Sequence, residues 1–537
     1  MTVSADRETH YLRLIFVVIS GLLLLRLALV VVSPMELYAD EAQYWRWSTS
    51  LDWGYYSKPP MIAWVIALST SIFGDSEWAI RILAPVLHTF AVVFLYLLAK
   101  AMFGSRAGWI TVIAYLIMPG ITLSSSVIST DGVLFPFWCL SLLLLWRLRE
   151  GEAGWLSVII LGVAIGAGFL SKYAMLYFAV GMGLASVFDP PTRRAIISFK
   201  GAVVGPVAFA VLSPHLIWNA ANDFATVGHT VDNANLGGQL FNWDHLPEFI
   251  TDQMSVFGPV SFVALIAALV FLRPRDDLAA VGDPAHSIGA KRRWLACFVV
   301  PVLIIIAFQA VLSRAHANWA ATAYPAACLI VASLVVRRKN WAIAFWIGIG
   351  INAVAAAFAG VLALSAPSVS AALGQDNAVK RVRGWQDLSD QLIAEVERIQ
   401  PTAILLDERE IWHGIDYYTR DRLDVPLILW RYHSGPKSFA ETVPMSDAID
   451  DRVLVASYRP EFRPRIKADF QTWDFAGEVG VDLGHRSNGC PLSRDLRLYL
   501  VSDFEALERT AEWVERFQGQ EIDGVEPCPK PEGEKSQ

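Results

Sequence analysis

The sequence predicts an all-α polytopic membrane domain followed by a smaller, soluble α/β domain. Of its 537 residues, 54% are hydrophobic and only 18% are charged. The apolar share is above, and the charged share below, those of ordinary soluble proteins. The apolar excess is also uneven, because apolar runs of roughly 17–22 residues, long enough to cross a bilayer, recur up to about Leu364 and then stop.

These observations divide the chain into three parts. We expect a membrane domain over residues 1–365, a water-exposed α/β domain over residues 366–517, and a disordered tail over residues 518–537, where Pro alternates with Gly, Glu and Lys. In the second part, two segments have helical spacing and four have β character. The helical segments are 388–399 and 410–419, and the β segments are 402–406, 425–430, 452–456 and 496–501.

The membrane domain contains eleven predicted transmembrane helices. They cover residues 14–33, 79–99, 107–124, 132–146, 155–171, 173–188, 200–218, 256–272, 294–312, 320–336 and 341–364. The first is too long for a signal peptide and is followed by no cleavage site of small residues. We therefore predict an uncleaved first helix and, from the odd count, termini on opposite sides.

Lys and Arg predict the orientation of these helices, because short cytoplasmic loops carry an excess of both. Under the eleven-helix count, every basic cluster falls on one side, from Arg7 and Arg13 to Arg337, Arg338 and Lys339. We predict that this side is the cytoplasm. The loops 34–78, 125–131, 219–255 and 313–319, residue 172, and the C-terminal domain then face outward.

The net charge argues against nucleic-acid binding, and the cysteine content leaves one disulfide open. The formal net charge of −7 gives no support for nucleic-acid binding, which normally shows a basic patch. Cys139, Cys297 and Cys328 lie in apolar runs. Cys490 and Cys528 have no metal-binding spacing, and whether they form a disulfide stays open.

The first outer loop carries the residues best suited to chemistry. Asp40 and Glu41 are adjacent carboxylates just outside a membrane helix, and can act as a general base or bind a metal. The alternative is that Asp40 caps an interfacial helix over residues 41–50. Lys58 precedes two prolines that fix its backbone, although it can equally be a lipid-headgroup anchor.

The other outer loops add a third acid and several cationic or titratable groups. Asp131 either caps the fourth helix or forms part of a site, since an acid at the membrane face is costly without a partner. At the same membrane face we expect a cradle for a phosphate. Its candidate ligands are Lys58, Lys172, Arg314 and His316, with His215, Asn219, His229, Asn318 and Trp319 as substrate-binding residues.

Taken in order, these motifs resemble those of membrane glycosyltransferases of the GT-C class. The resemblance covers about residues 10–365 and is greatest to protein mannosyltransferases, the aminoarabinose transferase of lipid A and rhizobial galacturonosyl transferases. The motifs are Asp40-Glu41-Ala42-x-Tyr44-Trp45, Lys58-Pro59-Pro60, the stretch from Gly74 to Arg81, Pro214-x-Leu216-Ile217-Trp218-Asn219 and Ala317-Asn318-Trp319.

The resemblance implies an enzyme that transfers a sugar, with inversion, from a polyprenyl-phosphate carrier to a lipid or other envelope acceptor. Asp40 would be the catalytic base, and Lys58 would contact the leaving phosphate. Glu41, Tyr44, Tyr55 and Tyr56 would bind substrate. The protein would reside in the bacterial inner membrane, with its N-terminus cytoplasmic and its C-terminal domain periplasmic.

The resemblance leaves a divalent metal open. In the aminoarabinose transferase, a glutamate before the Lys-Pro pair helps to hold a metal, whereas this chain has Ser57 there. Glu41 and Asp131 would then be the remaining ligands. Two other functions also stay open, a protein O-mannosyltransferase and a transporter or flippase of lipid-linked sugars, although a transporter predicts polar residues at mid-membrane.

Overall fold

The computed structural model describes residues 2–234, 240–270, 287–433, 435–442, 452–486 and 488–510, together with residues 512, 513 and 517. It contains two compact units. Unit 1, here called the membrane unit, comprises Met1–Val32 and Leu51–Gly360. Unit 2, the C-terminal unit, comprises Ser33–Ser50 and Val361–Gln537. The predicted disordered tail, 518–537, lies outside the described residues.

The helices up to residue 364 follow one another with short connections. They are α1 (Thr2–Val32), α2 (Ala39–Ser48), α3 (Met61–Phe73), α4 (Glu77–Arg81), α5 (Leu83–Phe103), α6 (Ser105–Leu116), α7 (Pro119–Ser124), α8 (Thr130–Arg149), α9 (Trp155–Ser171), α10 (Met175–Phe188), α11 (Pro190–Ile197), α12 (Phe199–Ala221), α13 (Ala225–Asn233), α14 (His245–Phe257), α15 (Pro259–Val270), α16 (Ile288–Ala296), α17 (Val300–Leu312), α18 (Tyr324–Val335) and α19 (Lys339–Leu364).

The predicted polytopic fold is confirmed. Within the described residues, seven helices are long and apolar enough to cross a membrane, or eight if α14 and α15, bent by 109° at Gly258, form one span. The three shorter apolar helices are α3, α9 and α10. Each of the eleven predicted segments coincides with helical structure.

The structure departs from the prediction at one helix break and in one loop. The predicted helix 107–124 is broken between α6 and α7, where Pro119 begins a new helix. Arg26 donates to the Leu116 carbonyl at this break (2.5 Å), so a carbonyl at the end of α6 that lacks a partner within the helix is paired. The predicted loop 34–78 contains α3, an apolar helix whose 13 residues are too few to span a bilayer.

Close approach of α9 and α12 depends on two glycines spaced four residues apart. A Cβ on Gly162 would lie 2.6 Å from Val207 Cβ, and one on Gly166 would lie 2.6 Å from Val211 Cβ. Small residues at this spacing allow two membrane helices to pack backbone against backbone. The pair therefore fixes the α12 segment that carries several candidate site residues.

Basic residues of the predicted inner loops meet at one end of the membrane unit. Arg149 binds Asp189 through Nε and Nη2, both at 2.8 Å, and Lys291 donates to the Met102 carbonyl (2.7 Å). The Thr192 hydroxyl also donates to Asp189 (2.7 Å). The Arg149–Asp189 ion pair thus joins the end of α8 to the start of α11, and Lys291 joins α16 to α5.

The C-terminal unit is the predicted α/β domain. Its later elements are α20 (Pro367–Ala372), α21 (Asp376–Val379), α22 (Trp385–Ile399), β1 (Ala403–Leu406), α23 (Arg409–Thr419), β2 (Leu427–Leu429), β3 (Val453–Ser457), α24 (Arg463–Lys467), β4 (Phe470–His485) and β5 (Pro491–Phe504). The sheet order is β2-β1-β3-β5-β4. Strands β1, β2 and β3 are parallel, and β5 is antiparallel to both β3 and β4.

All six predicted elements of this domain are present, and β4 is the one strand in the described residues that the pattern missed. Strand β4 contains Gly477, Gly480 and Gly484, and its register with β5 shifts at Phe475/Gly477 and Asp482/Gly484. Bulges of this kind interrupt the alternation of apolar and polar residues from which a strand is recognised.

Residues 33–50 fold with the C-terminal unit, although the sequence suggested the membrane domain. The Glu36 carboxylate accepts from the backbone amides of Trp385 (2.6 Å) and Gln386 (3.0 Å), which begin α22. A carboxylate at this position accepts hydrogen bonds from amides that lack partners within the helix, and its negative charge interacts favourably with the positive end of the helix dipole. Leu37 N donates to the Tyr418 hydroxyl (2.7 Å).

Cys490 is disulfide-bonded, and Cys528, whose pairing with Cys490 the sequence left open, lies outside the described residues. Cys139, Cys297 and Cys328 are free and buried, as their apolar surroundings predicted.

We predict that the C-terminal unit loses stability as pH rises from about 4 to about 6. Burial raises the pKa of the Asp416 carboxyl to about 6, against the opposing effect of Arg46, and burial likewise raises that of Asp407 to about 6. The folded protein thus binds more protons than the unfolded chain in this range, so raising the pH favours unfolding. Asp416→Asn should flatten the dependence of the thermal midpoint on pH.

The control is Asp390→Asn, which changes an exposed carboxyl whose pKa is lowered by Arg422. This variant should not flatten the curve. Thermal unfolding of the purified protein followed by tryptophan fluorescence checks both, and equal slopes for wild type and Asp416→Asn would contradict the prediction.

Candidate active site

The candidate base Asp40 lies in the first turn of α2, in the C-terminal unit. Glu41 Oε2 accepts from Tyr38 N (3.1 Å), closing the start of the helix. Helix α2 is therefore capped by Glu41, and the alternative that Asp40 caps a helix over 41–50 is wrong.

Asp40 contacts an arginine of α23. Arg409 Nη1 lies 3.3 Å from Asp40 Oδ1 and donates to Gln43 Oε1 (2.8 Å). About half of the Asp40 side chain is exposed (45%), whereas Glu41 is only 2% exposed. Tyr44 is also buried, with its ring 5.4 Å from that of Trp47. Among Asp40, Glu41 and Tyr44, only Asp40 has a side chain that solvent or a substrate can reach.

In the membrane unit, the buried carboxylate of Asp131 is the centre of a polar cluster. Lys172 Nζ lies 2.8 Å from each of the two Asp131 carboxylate oxygens, and Asn318 Nδ2 donates to Asp131 Oδ2 (2.8 Å). Asp131 is 6% exposed, and α8 is capped by Ser129, whose hydroxyl accepts from Gly132 N. The alternative of Asp131 as the helix cap is therefore wrong, and three predicted site residues meet.

The neighbouring residue, Tyr173, extends this cluster to α12. The Tyr173 hydroxyl lies 2.7 Å from His215 Nε2, and His215 Nδ1 lies 2.7 Å from the Trp53 carbonyl. A carbonyl only accepts, so Nδ1 carries the proton and Tyr173 donates to Nε2. Asn219 Nδ2 lies 3.1 Å from His215 Nε2. The turn at residues 172–174 thus joins Asp131 to His215.

Residues 51–60 form the loop that carries Lys58, and the end of α12 fixes it. The Trp218 indole donates to Asp52 Oδ2 (2.6 Å), and the Thr226 hydroxyl donates to the Tyr55 carbonyl (2.7 Å). A Cβ on Gly54 would lie 2.3 Å from the Trp218 ring, so only glycine fits without a shift of the backbone.

Lys58 is half-buried and closes a turn of this loop, since its carbonyl accepts from Tyr55 N (3.2 Å). Burial raises the pKa of the Tyr55 hydroxyl to about 12, so that side chain stays neutral. The Tyr56 ring lies 5.9 Å from His229 in an edge contact. Loop 51–60 and the helices α12 and α13 therefore bring together Lys58, Tyr55 and Tyr56 with His215 and His229.

Arg314 and His316 occupy exposed positions before Asn318. The His316 ring packs edge-on against Trp319, with ring centroids 5.2 Å apart. Gln253, a residue that the sequence gave no reason to select, donates to the Ala317 carbonyl (3.2 Å) and anchors this segment.

Four residues that position the candidate residues were not predicted as site residues. Asp52, Tyr173, Trp218 and Arg409 each hold a candidate residue or its loop through the contacts above. Trp218 belongs to the motif Pro214-x-Leu216-Ile217-Trp218-Asn219, and Tyr173 directly follows the predicted site residue Lys172, so both had a signal in the sequence. Arg409 follows a β segment at the start of a predicted helix, a position typical of site residues in α/β domains.

The residues proposed for a metal do not fit one in this arrangement. Both Asp131 oxygens face the Lys172 ammonium, and Glu41 accepts from the backbone amide of Tyr38 at the start of α2. Among the described residues, no group of three or more His, Cys, Asp or Glu side chains could hold a metal ion.

Comparison with known proteins identifies the family. The chain is 33% identical to the lipid A galacturonosyltransferase RgtD of Rhizobium johnstonii over 407 residues. This alignment covers 75% of this chain and 82% of that relative. The chain belongs to the GT-C membrane glycosyltransferases. It is an enzyme of this superfamily, and residues 57–218 match the dolichyl-phosphate-mannose-protein mannosyltransferase family.

Two further GT-C proteins are similar. An undecaprenyl phosphate-α-4-amino-4-deoxy-L-arabinose arabinosyl transferase of Pseudomonas fluorescens is 30% identical over 125 residues, 22% of each chain. The crystal structure of ArnT from Cupriavidus metallidurans bound to undecaprenyl phosphate shares the fold, with a TM-score of 0.62 at 14% identity, covering 94% of this chain and 99% of ArnT.

We predict that Lys172→Met lowers the thermal midpoint more than Asp131→Asn. Loss of the ammonium leaves a buried carboxylate with Asn318 alone, and breaking a buried ion pair from one side costs about 3–5 kcal/mol. Loss of the carboxylate instead leaves a partly exposed lysine that can extend its charge to water. Thermal unfolding in detergent measures both variants, with Lys200→Met as the control lysine; the reverse order would contradict the prediction.

We also predict that Gly54→Ala raises KM for the donor and lowers stability by about 1–3 kcal/mol, as overpacking does. The methyl group would meet the Trp218 ring and displace the loop that carries Lys58. Gly205→Ala is the matched control, since nothing lies within 4 Å of its Cβ position. If both variants behave alike in kinetics and thermal unfolding, the loop is not fixed by this contact.

Proposed function

We propose that this GT-C enzyme transfers galacturonate from a polyprenyl-phosphate carrier to lipid A or a related envelope glycolipid. The similarity to a lipid A galacturonosyltransferase over 82% of that protein's length carries the proposal. The name of the second relative, an undecaprenyl-phosphate aminoarabinose transferase, supports a polyprenyl-phosphate donor.

We assign the leaving phosphate to Lys58. Its loop is held by contacts with Trp218, Thr226 and His215, so the backbone that carries this lysine is ordered before substrate binds. A preorganised cation stabilises negative charge that develops on the departing group. The exposed Arg314 and His316 are the candidates to assist, and Asn219, Asn318 and Trp319 to bind sugar.

We assign the base to Asp40. It takes the proton from the acceptor hydroxyl as that oxygen forms a bond to the anomeric carbon. The bond from this carbon to the phosphate oxygen breaks, and the lipid phosphate leaves with the electron pair. A single displacement of this kind inverts the anomeric configuration, and no step in it passes through a metal.

We propose that the reaction takes place at the outer face of the inner membrane. The asymmetry of Lys and Arg along the chain supports this orientation. Nucleotide sugars are not available there, which explains the need for a lipid-linked donor. The N-terminus would be cytoplasmic and the C-terminal unit periplasmic.

Mass spectrometry of lipid A from cells with and without the gene tests the substrate pair. Loss of one hexuronic acid residue from lipid A is the expected result. Loss of an aminosugar instead, or loss of a hexose from envelope proteins, would overturn the proposed sugar or acceptor. Unchanged envelope glycans would overturn the activity.

We predict that Asp40→Asn lowers kcat by about 10²–10⁴-fold, the usual contribution of a general base. KM for the donor should change little, since the amide keeps the shape of the side chain. The assay uses purified enzyme, undecaprenyl-phosphate galacturonate and lipid A. Near-normal turnover by a folded Asp40→Asn protein would exclude Asp40 as the base.

A further inference from the structure

Arg409 connects α23 to the face of α2 that carries Asp40. It is the first residue of α23, and its Nη1 contacts both Asp40 Oδ1 (3.3 Å) and Gln43 Oε1 (2.8 Å). Residues three apart on a helix share a face, which allows one guanidinium nitrogen to reach both. Gln43 is 2% exposed, so this second contact fixes where the guanidinium lies.

The helices on either side of this contact are held together by other interactions. The Trp45 ring packs edge-on against Tyr417, with ring centroids 4.9 Å apart. Arg46 pairs with Asp416 at 3.7 Å. Because α2 and α23 pack along their length, the distance between Arg409 and Asp40 is set by the fold of the C-terminal unit and not by two flexible side chains alone.

Arg409 engages only one carboxylate oxygen of Asp40. Among the residues that the structure describes, none donates a hydrogen bond to Oδ2. This combination suits a general base, because one oxygen is held while the lone pairs of the other can face the incoming hydroxyl. The carboxylate is also about half exposed, which leaves room for a substrate.

The contact contributes little to stability. The side chains are 37% and 45% exposed, and exposed ion pairs contribute at most about 1 kcal/mol. Burial lowers the pKa of the Arg409 guanidinium, but Asp40 and Glu410 outweigh this effect and raise it. Arg409 therefore remains charged at any working pH, and its role is separable from folding.

We propose that Arg409 is a positioning residue for the transfer reaction, holding Asp40 Oδ1 so that Oδ2 faces the acceptor hydroxyl. The C-terminal unit then contributes to catalysis through the orientation of the base. This inference rests on the proposed function, in which Asp40 accepts the proton.

The test compares Arg409→Met with Arg409→Lys and with Arg422→Met. Arg422 is the matched control, since it forms a similarly exposed pair with Asp390 (2.7 Å) in the same unit. Arg409→Met should lower kcat by about 10–10²-fold, the loss expected when a catalytic group is misplaced by about 1 Å. KM for undecaprenyl-phosphate galacturonate and the thermal midpoint should stay near the wild-type values.

Arg409→Lys should restore most of the activity, because an ammonium can donate to both Asp40 and Gln43. Arg422→Met should turn over normally. The inference is overturned if Arg409→Met retains normal kcat, or if Arg409→Lys is as impaired as Arg409→Met.

A double-mutant cycle shows whether Arg409 acts through Asp40. In the Asp40→Asn background, Arg409→Met should cause no further loss of the residual kcat, because the two residues act as one unit. Additive losses would overturn the inference. A fully active Asp40→Asn protein would instead show that the assignment of the base in the proposed function is wrong, so the two failures are distinguishable.

Discussion

The contact of Lys172 with Asp131 is the interaction on which the polar part of the membrane unit depends. A carboxylate that is 6% exposed among apolar helices is costly unless it is paired. Lys172 contacts both of its oxygens, and Asn318 donates a further hydrogen bond. The adjacent Tyr173 contacts His215, which in turn contacts the loop of Lys58. Segments around residues 53, 131, 172, 215 and 318 are thereby held close together, although they lie far apart in the sequence.

Hydropathy predicted the helices well because each must satisfy its own backbone within an apolar environment. It could not predict α3, whose 13 residues are as apolar as a membrane span but shorter. In the C-terminal unit, the strands of the buried sheet centre were recognised by their continuous apolar residues. Strand β4 was missed because its glycines and register shifts interrupt the alternation.

For the candidate site, motif order selected Asp40, Lys58, Asp131, Lys172 and Asn318, since each has a side chain suited to chemistry in a predicted outer loop. Motifs could not distinguish the exposed Asp40 from the buried Glu41, because that difference arises from the packing of α2. Nor could they indicate Arg409, which is separated from Asp40 by 369 positions. Contacts over such distances are a property of the folded chain.

The capping of α22 by Glu36 has a consequence for biosynthesis. Residues 33–50 are synthesised directly after the first helix, but their packing partners, including Tyr417 and Tyr418, follow only after all the other membrane helices. Until then Trp45 and Trp47 lack the neighbours that bury them, and such long-range contacts form slowly. The C-terminal unit is therefore a non-contiguous domain, and a fragment that begins after Gly360 lacks one of its helices and a cap of another.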